Sequence, residues 1–307
     1  MNRSAKKNNR RVLPVYSLAA LLVLATMSTD VWAVNDTDTA DAYRAYLLRD
    51  NRLTPCRTNA SCAALGVSRL EAGNTVEASQ AVDLELDLAE LDAMAAESEK
   101  RQASGTARAI MALIHEGDVA AKTDPAVARA WYRFALERAG RSGPQPMIDR
   151  VRLVATARLD AINDKDVMKG VPASGATFER YIFMGVNNTI TLRPVSGKPD
   201  VFRLTGEFGY PEIQSDGPAS VNTGNIAGLV RFFDGKADIV VDDTGKPVDG
   251  TRRLAPSAIE SDRCVLHLEY DGKETLTVTT LGNASDCGFG FNVVADGAFH
   301  MTSRSAP

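Results

Sequence analysis

The chain has 307 residues, 44% hydrophobic and 24% charged, with 35 Lys+Arg set against 39 Asp+Glu. That balance supports a packed core and argues against a basic surface for nucleic acid. Only three histidines are present, which leaves little room for zinc sites or histidine-based catalysis.

Residues 1–33 read as an export signal. Arg3, Lys6, Lys7, Arg10 and Arg11 form a basic start, Val12–Met27 is uncharged and apolar, and Val31 and Ala33 are the small residues of a cleavage site before Val34. No cysteine follows the apolar run, so a lipoprotein anchor is not indicated, and membrane contact is expected only through this segment if it is retained. Removing it leaves 30 basic and 38 acidic residues, a net charge near −8, unsuited to nucleic acid or an anionic membrane surface. The expected location is periplasmic or secreted. Four cysteines in an exported chain form two disulfides most simply. Of the three pairings, proximity in sequence favours Cys56–Cys62 and Cys264–Cys287; no CxxC redox or zinc pattern occurs.

Length and composition divide the remainder into a helical domain over 34–170 and a β domain over 171–307, with Lys169–Gly175 as a glycine-, proline- and serine-bearing seam. The fold class is therefore α+β. Asp38–Asp50 is an opening helix, and Ala63–Gly73 a short one stopped by Gly73 and Asn74. From Thr75 to about Gln102 a longer helix pairs back. Within it Val82, Leu84, Leu86 and Leu88 alternate like a strand, yet the surrounding Glu, Ala and Leu favour helix. Ser104–Gly117 and Asp124–Gly140 make a second hairpin, with Asp124 as N-cap and Pro125 in the first turn. Pro144–Asn163 closes the set.

The β domain starts with Thr177–Gly185 and Thr189–Val195, turning at Asn187 and Asn188. Val201–Phe208 follows, then a loop from Tyr210 to Gly224. Ile226–Phe233 and Ala237–Asp242 flank Asp234 and Gly235, a hairpin signal. After a second loop, Arg263–Tyr270 and Thr275–Leu281 form a hairpin about Asp271 and Gly272, and Phe289, Phe291, Val293, Phe299 and Met301 continue as a last strand or pair of strands. That makes about eight strands. In a flat meander Cys264 and Cys287 would be two strand spacings apart, about 9–10 Å, whereas a disulfide needs Cα atoms within roughly 7 Å. Their bond requires a curled sheet or small barrel, with a bend at Gly288 and Gly290.

In the second helical hairpin, Ala109, Leu113, Glu116-Gly117, Asp124, Ala128, Trp131-Tyr132, Ala135 and Ala139-Gly140 resemble a Sel1-like repeat, a relative of the tetratricopeptide repeat. The first hairpin keeps only Ala64-Leu65-Gly66 and Ala72-Gly73 of that pattern. The resemblance implies a short solenoid that acts as a protein-interaction scaffold rather than an enzyme, and two repeats need capping by their surroundings. The C-terminal part, from Phe233–Gly235 to the closing Cys287–Gly297, resembles a disulfide-bearing β module of secreted bacterial proteins with no assigned activity. Bacterial inhibitors of lysozyme share its compartment and general build.

No catalytic, cofactor or metal site is assigned. Gly-Phe-Gly at 288–290 lacks the third glycine and following helix of a dinucleotide fingerprint. Gly140–Gly143 misses a nucleophile elbow by one position. His267, Glu269 and His300 would converge only on neighbouring strands. The aspartates 234, 238, 242, 243 and 249 lack the ordered spacing of a calcium loop. The leading reading is an exported, non-enzymatic interaction protein of the bacterial envelope whose partners are proteins, with Trp131, Tyr132 and Phe134 as candidate contact residues. The alternative is a binder or inhibitor of a secreted enzyme such as lysozyme, acting through the β domain. Exposed aromatics on a concave helical face would favour the first. An exposed apolar or acidic groove beside the 210s loop or Cys287 would favour the second.

Overall fold

The computed structural model describes residues 37–52, 54–96, 98–162, 174–214, 220–241, 250–251, 264–282 and 287–303. The expected export signal, most of the 169–175 seam and Asp242, Asp243 and Asp249 lie outside them. Among the described residues six helices come first: α1 (Thr37–Asp50), α2 (Asn59–Glu71), α3 (Thr75–Met94), α4 (Glu99–Ala120), α5 (Pro125–Arg141) and α6 (Pro146–Ala161). The starts of α2, α3, α4 and α5 are set by side chains that satisfy free backbone amides. Asn74 accepts from Glu77, and Asp124 accepts from Ala126 and Val127 ahead of Pro125. The helix expected to run to Gln102 is cut in two. It ends at Met94, and the Ser98 hydroxyl starts α4 by accepting from the Arg101 amide at 3.4 Å.

α3 is the central helix, packed against α1, α2 and α4. That position explains its misleading alternation. Val82, Leu84, Leu86 and Leu88 are all buried, because a helix covered on several sides buries more than one stripe. The hairpins α2–α3 and α4–α5 stack as antiparallel pairs, with α6 lying on both α4 and α5. Gly117 permits one close approach: a Cβ there would come within 2.3 Å of the Tyr132 ring.

Eight strands follow: β1 (Ala176–Phe183), β2 (Val186–Pro194), β3 (Val201–Glu212), β4 (Ser220–Arg231), β5 (Lys236–Val241), β6 (Cys264–Tyr270), β7 (Thr275–Gly282) and β8 (Gly297–Ser303). They make one antiparallel sheet in the order β4-β3-β2-β1-β8-β7-β6-β5. Because β1 pairs with β8, the meander curls into a nearly closed barrel, and among the described residues no ladder joins β4 to β5. Phe178, Ile190, Leu204, Ile239, Leu266 and Phe299 fill its interior, as an eight-stranded barrel allows.

The sequence signals and the strands differ at three places. β3 and β4 extend well into the expected 210–224 loop. Asp234 and Gly235 do form a turn, with φ of 52° and 78°, but the strands beyond it splay instead of pairing. Gly250 is wedged into that gap. Its amide donates to Leu229 O at 3.0 Å, its carbonyl accepts from Arg231 at 3.2 Å, and a Cβ on it would come within 2.7 Å of Asp238 O. The stretch from Cys287 to Asp296 is not a strand. Gly288 and Asn292 take φ of 70° and 61°, and the chain folds as a cap over one end of the barrel.

Freed from the sheet, Cys287 reaches the start of β6 and bonds Cys264 at a Cα separation of 5.0 Å; Cys56 and Cys62 are bonded at the same separation. From Cys287 the cap crosses to β4, where the Gly290 amide donates to Thr223 O at 3.1 Å and Phe289 lies over Gly224. The disulfide thus anchors a strap from β6 to β4 across the open junction. Replacing both Cys264 and Cys287 by Ser is expected to lower stability in urea by about 2–5 kcal/mol; an unchanged midpoint would mean that the strap holds without its bond.

Candidate binding surface at the capped end of the barrel

Asp36–Pro307 form a single compact unit, and α5 joins its helical and β portions by lying along β8 and β1. The most buried charged group at this junction is Glu90 of α3, with no exposed surface. One of its oxygens accepts from the Arg138 guanidinium. The other accepts from Tyr181 Oη at 2.9 Å and from the Met184 amide at 2.6 Å. A single carboxylate therefore ties α3 and α5 to β1 and the following turn. A second tie lies at the far end of α5. Glu274 accepts from Arg129 Nε and Nη2, each at 3.0 Å, and also from Arg133. Between them His300 of β8 meets Glu137 at 2.5 Å.

The aromatic residues singled out in the sequence belong to this internal junction. Tyr132 and Phe134 are 2% and 4% exposed, and Trp131 is half-buried. The Trp131 ring lies 5.5 Å from Phe134 and 5.6 Å from Tyr181, and Phe134 lies 5.6 Å from His300. Tyr132 donates to Asp118 at 2.8 Å. These rings cement helices to barrel and to each other, and a partner on the helical face would not reach Tyr132 or Phe134.

An unusual concentration of acid sits where the middle of α3 meets the end of α4. Glu116 is 6% exposed. Burial, then the charges of Asp83, Glu85 and Asp87 and a hydrogen bond with Asp83, push its carboxyl well above the usual range. Burial and the charges of Glu90 and Asp83 raise Asp87 to about 7. Burial works against a charged His115, but the Glu85 carboxylate, 2.8 Å from Nδ1, outweighs it and raises the imidazole pKa.

The histidines do not converge. β7 separates β6 from β8, so His267 bonds Asp238 at 2.6 Å while His300 faces α5, and Glu269 pairs with Lys236. Among the described residues, no group of three His, Cys, Asp or Glu side chains is placed to hold a metal ion. Also among them, no helix is long and apolar enough to cross a membrane. At the turn end of the barrel Asp200, Asp234 and Asp271 rim a cleft of about 510 Å³ floored by Phe232 and Tyr270. The Asp271 carboxylate is spent on the amides of Lys273, Glu274 and Thr275.

The capped end presents a different surface. Cys287, Phe289, Val293 and Ala295 point into the core, and Asp296 anchors the cap's end by accepting from Thr280 N and Oγ1 at 2.7 Å each. Asn188 braces it from below, accepting from Gly209 N at 2.7 Å and donating to Val294 O at 3.3 Å. Phe291 at the tip is 76% exposed, the highest value among the large hydrophobic residues, with Val294 at 47% and, on the adjoining stretch of β4, Val221 at 46%. Alternating with Phe289 and Val293, Phe291 reads in the sequence as a strand residue. Its exposure follows from the cap, which the glycines at 288 and 290 foreshadow.

Two outcomes test this geometry. Glu90→Gln leaves the half-buried Arg138 without its charge partner and is expected to cost about 3–5 kcal/mol, read by urea denaturation; a cost below about 1 kcal/mol would deny it the central role. For pH, the acids of the α3–α4 cluster hold their protons more tightly folded than unfolded, so stability falls as pH rises from about 4 toward 7 and beyond. His115 adds to the same trend. Glu116→Gln should raise thermal stability at pH 8 and flatten the slope; an unaltered pH profile would show Glu116 already ionised. No family model, curated protein or solved structure matches this chain.

Proposed function

We propose that the protein is an exported, non-enzymatic binding protein that engages a protein partner of the bacterial envelope through the capped end of its barrel. The observation that carries this reading is a 76% exposed phenylalanine, Phe291, held on a disulfide-anchored cap with Val294 on the same cap and Val221 two residues from the Thr223 that Gly290 bonds. An isolated exposed apolar residue needs no explanation, but a clustered, braced one marks an interaction site. The cap keeps its shape through Cys287, Asp296 and Asn188, so little ordering cost remains on binding. Of the two readings open in the sequence, this is the one that acts through the β portion, and inhibition of a secreted enzyme is one form it takes. The helical half then serves as a rigid support, its aromatics committed to the junction. Two disulfides suit a periplasmic or secreted location.

The test uses the intact exported chain in its own envelope, with a photoreactive residue at position 291 or at Leu153, an exposed apolar residue of α6 (70% exposed). A discrete adduct from 291 and none from 153 is expected. An adduct from 153 alone would return the binding role to the helices.

A further inference from the structure

β4 is bonded to β3 along its whole length, from Val201↔Arg231 to Glu212↔Ser220, without a shift in register. Its other edge faces the open junction. Thr223, Leu229 and Arg231 direct backbone groups that way, since these take the bonds to Gly290 and Gly250. In an antiparallel pair every second residue directs its N–H and C=O to the same edge. Asn225 and Ala227, which lie between, therefore do the same, and among the described residues neither has a partner across the junction. β5, with 6 residues, is half the length of the 12-residue β4 and does not run beside all of it.

The composition of this edge is as telling as its geometry. Ser220–Val230 and Cys287–Ala295 contain no charged residue in a chain that is 24% charged. Natural edge strands are protected by lysines, prolines, bulges or covering segments. Here the stretch from Ser220 to Val230 has no charge, proline or bulge, and the outward side chains Val221, Thr223, Asn225 and Ala227 are all exposed. Backbone already docks on this edge at both ends, through Gly290 and Gly250.

We propose that the β4 edge between those two bridges accepts an extended, uncharged segment of a partner polypeptide as an added strand, with Phe291 meeting an apolar side chain at its end. This rests on the reading of the capped end as a binding surface and states how that surface holds its partner. The gap from Thr223 to Leu229 is about 20 Å long, room for about five extended residues. Main-chain hydrogen bonds supply the affinity, and the uncharged outer face selects a segment without charges at the facing positions.

The probe is a soluble strand-forming peptide, acetyl-Lys-Thr-Val-Thr-Val-Thr-Lys-amide, added to the intact exported chain and followed by amide exchange and NMR titration. The peptide is expected to slow exchange at Asn225 and Ala227. Ala227→Pro, which removes only an outward N–H, should weaken binding about tenfold, and Ala227→Val should keep it. If Phe291→Asp weakens binding while Ala227→Pro binds as the parent does and the amides stay unprotected, strand addition is overturned and the surface reading survives. If the peptide binds and neither substitution matters, or it does not bind, both fail. Protection that grows with protein concentration before peptide is added would make the occupant a second copy, contradicting the partner assigned here.

Discussion

Glu90 is the constraint on which the arrangement depends. A carboxylate without exposed surface is tolerated only when its lone pairs are taken up, and here a guanidinium, a phenol and a backbone amide take them. Those three donors come from α5, β1 and the turn after β1. The bonding requirement of one side chain on α3 thus fixes where the barrel sits on the helices. Glu274 repeats the device at the other end of α5 with two arginines. Directional charge pairs at both ends, and aromatic rings between them, give α5 little freedom to slide along β8 and β1.

A barrel gripped along β8 and β1 has its weak line on the opposite side, between β4 and β5. The chain closes that line by backbone contacts rather than by a ladder: Gly250 at one point, Gly290 at another, with the Cys264–Cys287 bond anchoring the second. Both positions need a residue without a side chain in the way. A Cβ on Gly250 would meet carbonyl oxygens at 2.7 and 2.8 Å, and one on Gly290 would lie 3.0 Å from Thr223 O. The same incomplete closure leaves part of the outer edge of β4 without a partner among the described residues and lifts Phe291 into solvent. Structural economy at the junction and the exposed surface share one origin.

Much of the architecture was legible in the residues. Asp124 before Pro125, Gly73 with Asn74, and the Asp271-Gly272 turn each act through local backbone chemistry, which a sequence shows directly. The curl of the sheet followed from the reach of a disulfide. What escaped depended on distant partners. Asp234-Gly235 makes its turn, but whether the flanking strands pair is decided by Gly250 and by β1 meeting β8. Phe291 looks like one more inward strand residue until the cap is seen. Trp131, Tyr132 and Phe134 have the character of contact residues, and they are contacts, internal ones. Glu90 gave a faint signal, since the run from Leu84 to Leu91 holds only acidic polar residues and no basic partner of its own.

The claim that the helices and barrel act as one body is open to a direct measurement. Trp32 precedes Val34, so a chain beginning at Val34 has Trp131 as its sole tryptophan, placed at the junction itself. Urea unfolding followed by its fluorescence and by far-ultraviolet circular dichroism should give coincident transitions, as expected of a single cooperative unit. Tryptophan exposure at lower urea than the loss of secondary structure would show the junction opening while both halves stay folded, and would contradict the account.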